Sequence, residues 1–338
     1  IAAGLLPPNT DEKAPRFQAL KMTLYEISLP GPKSDEQGSR SKTLKELISG
    51  MEQFYSGLLS VEEADAGEPN YFALELAVPA DSPELQFYAA VPNGKRNLFE
   101  KQLLAIFPNA HLFPQPSDYN VFAPGGVSLA STATLADNPV LPLTDYTEFD
   151  YDPINAILNA FAKIEHTGEG VALQIIIEPR GQRHIQHYRK VLQALRKGEK
   201  RSSAFNTPET FVGEVFREVS KTFFSKTPKK DDQKASEVKS RQIEQNKTLI
   251  EQVEKKLATP VVDVTIRLVA SSSNESRAGQ MLGELEAAFN QFANTQGNRI
   301  EFKRLPVGRQ AQEVFDNFSF RLPDSHALPL SLRELTTI

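Results

Sequence analysis

The stretch YFALELAVPADSPELQFYAAV, residues 71–91, decides the fold. Tyr71–Val78 and Leu85–Val91 each alternate in the period-2 pattern of a half-buried strand, with a proline-containing turn at Ala80–Pro83 between them. Working outward, Leu44, Leu47, Ile48, Met51, Phe54, Tyr55 and Leu58 recur at helical spacing upstream. Before them Lys21–Leu29 reads as a strand stopped by Pro30-Gly31-Pro32. Downstream, Pro92-Asn93-Gly94 ends the second strand, and Lys95–Phe107 is a helix with Leu98, Phe99, Leu103, Ile106 and Phe107 on its buried side. Ala110–Phe113 and Tyr119–Phe122 complete the unit as an interrupted strand. The order is βαββαβ, the ferredoxin-like arrangement.

The same order recurs. Val127–Leu135 reads as a strand, and Asp152 with Pro153 opens a helix carrying Ile154, Ile157, Leu158, Phe161 and Ile164. Gly168-Glu169-Gly170 turns into the strand Val171–Glu178. Val261–Ala270, a helix capped by Asn274 and a last strand at Ile300–Leu305 finish the second unit. Between its central strands lies a helical insertion, with helices expected at Ile185–Leu195, Thr210–Phe224 and Ala235–Leu257. The expected architecture is therefore α+β: a tail over 1–19, a ferredoxin-like unit over 20–123, and a second over 124–310 with its helical insert at 181–259. Residues 311–338 read as a connector toward a further domain.

Composition narrows the function classes. The 338 residues are 40% apolar and 24% charged, which is globular, and the absence of cysteine removes disulfides, thiolate nucleophiles and Cys-type metal sites. The most apolar runs, such as Val171–Ile177, are far short of the roughly 20 residues that span a bilayer. A chain that starts on Ile1 and stops on Thr337-Ile338 reads as a segment of a larger protein, soluble in itself.

The motifs of nucleotide and hydrolytic chemistry are missing. Gly94-Lys95 lacks the upstream glycine and following Ser or Thr of a phosphate loop. Gly168-Glu169-Gly170 precedes a strand, whereas a dinucleotide fingerprint follows one. His184 and His187 share a helix three residues apart, but a zinc site needs three or four ligands, so a solvated face beside Arg183 and Arg189 is the plainer reading. Glu165-His166 closes a helix, where an imidazolium complements the dipole. No catalytic, cofactor-binding or metal-ligating residue is assigned, and the segment is read as non-enzymatic.

Charge is uneven. Arg180–Thr259 holds 19 Lys/Arg against 10 Asp/Glu, about +9, while the remainder is −14, for a net −5. Arg189, Lys190, Arg196, Lys197, Lys200 and Arg201, with Lys229 and Lys230 further on, form a candidate surface for a protein partner or for the phosphates of DNA or anionic lipid. A solvated helical surface is the plainer alternative. Phe211, Phe216, Phe223 and Phe224, interleaved with these cations, sit at helical spacing that suits a core or a partner. The aromatic signature of RNA-binding sheets is absent from Val171–Glu178 and Leu85–Val91.

Read in order, several phrases resemble the region preceding the motor in FtsK/HerA-type ATPases of type IV secretion and conjugation. They are Leu24–Leu29, Leu85–Pro92, Phe99–Leu103, Phe107–Ala110, Asp118–Phe122, Asp152–Ile157, Gly168–Gln174, Asp263–Ala270 and Ala287–Phe292. Leu328–Leu335 resembles the lead-in to the ATPase domain. The resemblance implies a non-catalytic accessory region at the cytoplasmic face of the membrane, without a cofactor of its own. It implies transmembrane helices upstream, a nucleotide site downstream, and secretion-channel proteins, neighbouring subunits or further copies as partners. The rival reading is a direct DNA-binding module acting through the basic insert.

Overall fold

A computed structural model describes residues 15–29, 44–59, 68–164, 168–206, 232–305 and 308–338 of the protein. A short helix, α1 (Pro15–Ala19), leads into strand β1 (Met22–Ser28), followed by helix α2 (Leu44–Leu59). The alternating segments at the heart of the sequence become β2 (Phe72–Val78) and β3 (Gln86–Pro92), antiparallel from Ala73↔Ala90 to Ala77↔Gln86. Helix α3 (Arg96–Ile106) and strand β4 (His111–Pro114) bring the chain back beside β1, giving the strand order β4-β1-β3-β2.

The second half contains β5 (Val127–Leu135), α4 (Ile154–Phe161) and β6 (Gly170–Glu178). Among the described residues the insert then forms α5 (Gln182–Arg196), α6 (Arg201–Phe205) and α7 (Asp232–Lys256). Strand β7 (Val261–Ser272), helix α8 (Glu275–Ala288) and strand β8 (Ile300–Arg304) finish it, in the order β6-β7-β5-β8. Asn274 caps α8 as its sequence position predicts, its Oδ1 accepting from the Arg277 amide at 2.9 Å. The halves are joined edge to edge, because β2 pairs with β6 from Phe72↔Ile177 to Val78↔Val171. The result is a single antiparallel sheet of nine strands among the described residues.

One face of this sheet carries α2, α3, α4 and α8 over a core that includes Phe54, Phe99, Ile157 and Leu282. The other face is covered by helix α9 (Arg309–Ser319), through Val314 and Phe318, and by the segment around Val121. The insert keeps its own core, with Tyr188, Val191 and Leu195 of α5 against Val253 of α7. Asn246 of α7 ties it together by donating to the carbonyls of Leu195 (3.0 Å) and Glu199 (2.8 Å). The predicted helix at Thr210–Phe224, its phenylalanines and Glu165-His166 lie outside the described residues.

Two segments differ from the sequence expectation. Tyr119–Phe122 is not a strand. Tyr119 leaves the sheet edge to stack on Tyr88, with centroids 4.5 Å apart, and to donate its hydroxyl to Glu75 at 3.0 Å on the second face. The backbone of this segment presses on β6: a Cβ on Gly170 would lie 1.9 Å from the Val121 carbonyl oxygen. Residues 311–338, expected as a connector, are integral to the fold. After α9 they form β9 (Leu328–Ser331) and α10 (Leu332–Thr337). Strand β9 pairs with Val261–Val264 of β7, while β5 pairs with the other half of β7, Arg267–Ser272.

Candidate functional site

On the first face, the helices of the two halves leave a gap over the β2–β6 seam. It forms a cleft of about 340 Å³ whose floor includes Leu76 and Ile175 and whose sides include Met51, Phe87 and Ile154. At the rim, Leu29 is 55% and Ile154 36% exposed, and Asp152 adds a carboxylate. Helix α10 lines the cleft through Leu335, Thr336 and Thr337, and Ile338 just beyond the helix adds to that wall. This short helix is fixed at its start by a capping box. Glu334 Oε2 accepts from the Ser331 amide at 2.6 Å, and Ser331 Oγ accepts from the Glu334 amide at 3.4 Å.

Glu334 has a second duty. It is 1% exposed and faces Lys256, itself fully buried at the end of α7, at 2.8 Å. Its other oxygen accepts from the Leu143 amide at 2.6 Å. Burial pulls the Lys256 ammonium below the ordinary lysine range, and the Glu334 carboxylate opposes that pull. Nearby, Tyr146 donates its amide to Thr337 Oγ1 at 2.8 Å and its hydroxyl to Glu52 of α2 at 2.9 Å. Helices α2 and α10, which both line the cleft, are thus tied to one loop.

The second face holds a charged row under α9. Glu75 receives Gln174 Nε2 at 2.7 Å and the Arg321 guanidinium at 3.0 Å. Arg267, fully buried on β7, donates to Gln174 Oε1 at 2.9 Å and to Asp324 at 2.7 Å. These bonds fasten residues 318–324 to the sheet.

The sequence-predicted cations lie on the insert. Arg196 pairs with Glu254 at 2.6 Å, and Arg201 pairs with Asp137 at 2.5 Å, so their charges are already answered. Arg189, Lys197 and Lys200 are exposed, and Lys190 is half-buried. Lys229 and Lys230 lie outside the described residues. The solvated His184/His187 face is corrected: His184 turns inward to Asp263, 2.7 Å from Nε2 to Oδ1, and His187 is buried. The cause is tertiary, since α5 packs against β7, whose Asp263 is itself buried. Gly168 does make the expected turn, with φ +95°.

Sequence reasoning missed the cleft. Its residues come from both halves and from the C-terminal segment, and only the apolar exposure of Leu29 and Ile154 marks it once the fold is known. Among the described residues, no helix is long and apolar enough to cross a membrane. No curated protein matches the sequence. A family model, domain of unknown function DUF8128, matches residues 33–319, and this chain belongs to that family.

Proposed function

We propose that this protein is a non-catalytic assembly region that docks a helical segment of a partner protein in the cleft between its two halves. The observation that carries this reading is the cleft itself: apolar, open at Leu29 and Ile154, and already taking one short helix, α10, along its side. Joined with the resemblance set out above, it makes the chain the accessory region of a type IV secretion or conjugation ATPase at the cytoplasmic membrane face. Its partners are then neighbouring subunits or secretion-channel proteins. In this reading β9 and α10, which correspond to the lead-in to the motor, belong rigidly to the accessory fold.

The architecture we infer is a tandem of ferredoxin-like units with a helical insertion in the second. What supports it is the strand order: counting strands within each half, both run fourth-first-third-second from the outer edge of the sheet to the β2–β6 seam.

Two measurements test the proposal. A Walker-type motif downstream of Ile338 in the native reading frame supports the motor assignment, and a stop codon there overturns it. Sedimentation velocity of the full-length protein with and without Ile154→Asp tests the cleft. Loss of higher assemblies with an unchanged folded spectrum is expected, and unchanged assembly removes the cleft from the reading.

A second reading, DNA binding by the insert, is favoured by the exposure of Arg189, Lys197 and Lys200. It predicts that Lys197→Glu with Lys200→Glu makes the salt dependence of DNA affinity shallower, the log–log slope changing by about 0.9 for each phosphate no longer neutralised.

A further inference from the structure

We infer that Lys256 is a positioning residue that couples the helical insert to the shape of the cleft, an inference that rests on the cleft being the docking site. The path is short and runs through named side chains. Helix α7 ends on Lys256, whose ammonium meets the carboxylate of Glu334, the third residue of α10 and the partner of its Ser331 cap. The next residue, Leu335, faces the cleft. Lys255, one residue before Lys256, reaches Asp145 at 3.4 Å and also contacts Glu148. Asp145 and Glu148 cap the turn that contains Tyr146. Tyr146 in turn holds Thr337 on one wall and Glu52 of α2 on the other. The last turn of α7 therefore reaches α10 directly through Lys256, and α2 by way of Lys255 and the turn at Tyr146.

An apolar side chain of similar length would fill the space at Lys256 without a desolvation cost, so packing alone does not call for a lysine here. An ammonium adds direction: it sets where the Glu334 carboxylate sits, and hence the rotation of α10 about its cap. A partner or anion that shifts α7 moves that ammonium and with it the cleft wall. By linkage, an occupant of the cleft that shifts α10 acts back on α7.

Hydrogen exchange of the intact chain tests this without any partner. Lys256→Met should speed exchange of the 332–337 amides on the order of a hundredfold, as expected when a buried carboxylate loses its counter-ion. The exposed-site control Lys247→Met should leave those amides unchanged. Lys256→Met with Glu334→Gln should return them close to the starting rate, because the neutral amide still accepts a backbone hydrogen bond and leaves no unpaired charge. Glu334→Gln alone should in turn speed exchange at 253–257.

If Lys256→Met leaves the 332–337 amides at their starting rate, the lysine only fills space and the inference is overturned. A double variant as loose as Lys256→Met, which would show that the loss is not one of unpaired charge, overturns it as well. If Lys256→Met does not fold, the double variant and the reciprocal Glu334→Gln experiment decide: fast exchange confined to 332–337, with 253–257 unmoved, also overturns it. Failure of the cleft as a docking site would appear in the Ile154→Asp sedimentation and leave these exchange rates as they are, so the two readings fail separately.

Discussion

Arg321 and Glu75 stand 246 residues apart in the sequence and meet at 3.0 Å beneath α9, the carboxylate fully buried and the guanidinium 12% exposed. Arg321 also forks onto both oxygens of Asp118 at 2.8 Å, and it does so from a left-handed backbone, φ 53°. An ordinary residue gives up roughly 1–2 kcal/mol to adopt that conformation, so the side-chain clamp holds the backbone where it would not rest unaided. Arg321→Met should cost about 3–5 kcal/mol in urea unfolding, because Glu75 keeps its charge without its counter-ion. Arg321→Met with Glu75→Gln should recover part of that loss.

Alkaline stability is set by tyrosines. Burial pushes the Tyr88 hydroxyl up to about 12, and burial reinforced by its bond to Glu52 does the same for Tyr146. Tyr55 and Tyr71 are raised further, both chiefly by burial. A phenol whose folded pKa exceeds its unfolded value contributes stability that is complete below about pH 10 and is lost as pH climbs through the folded value. The unfolding midpoint should therefore fall steeply between about pH 10 and about pH 12. The share of the ionised-tyrosine absorbance that belongs to these four residues should rise in step with loss of structure and not before it.

Glu178 runs the other way from a typical carboxylate. Burial raises its pKa, and Asp263, its cross-strand neighbour, adds to the rise against the opposing Arg180 and Arg183. Its protonated form stabilises the fold at acid pH, and that contribution disappears as pH rises through the folded value. At neutral pH the buried charge is a burden, so Glu178→Gln should raise the urea midpoint there. The gain should shrink toward about pH 4, where the unfolded carboxyl itself takes up its proton.

Glycines give predictions of both signs. A Cβ on Gly181, at the entrance to α5, would fall 1.4 Å from the Val261 carbonyl oxygen, so Gly181→Ala must displace the insert from β7. A loss of about 3 kcal/mol or more, or failure to fold, is expected. Gly279 lies inside α8, where a new methyl would meet Leu129 Cδ1 at an ordinary 3.7 Å. Gly279→Ala should stabilise by about 0.5–1 kcal/mol, measured as a raised thermal midpoint.

Local pattern carries a reading of this sequence a long way. The matching strands of both halves appear within a residue or two of their expected bounds, because alternation is a property of adjacent residues. Helix ends such as Gln182 of α5 and Phe161 of α4 fall about three residues from theirs. What stays hidden depends on distant partners. Ala311, Val314, Phe315 and Phe318 are spaced for an amphipathic helix, yet the span reads as a connector, since the seat of α9 is the sheet's second face. Tyr119–Phe122 looks like a strand and is instead drawn off by Tyr88 and Glu75. Strand β9 is four residues long, too brief to announce itself. The candidate cations are legible as residues, but the carboxylates that answer Arg196 and Arg201 are not, because Glu254 and Asp137 are 58 and 64 positions away.

The split pairing of β7 bears on synthesis at the ribosome. Chain leaving the tunnel in order presents Val261–Val264 with one side open, and Lys256 without its carboxylate, until residues 328–334 emerge. A nascent molecule at that stage has a bare strand edge, a template for pairing with another chain. Arrival of β9 and Glu334 closes the edge and supplies the counter-ion of Lys256 together, because both lie within residues 328–334.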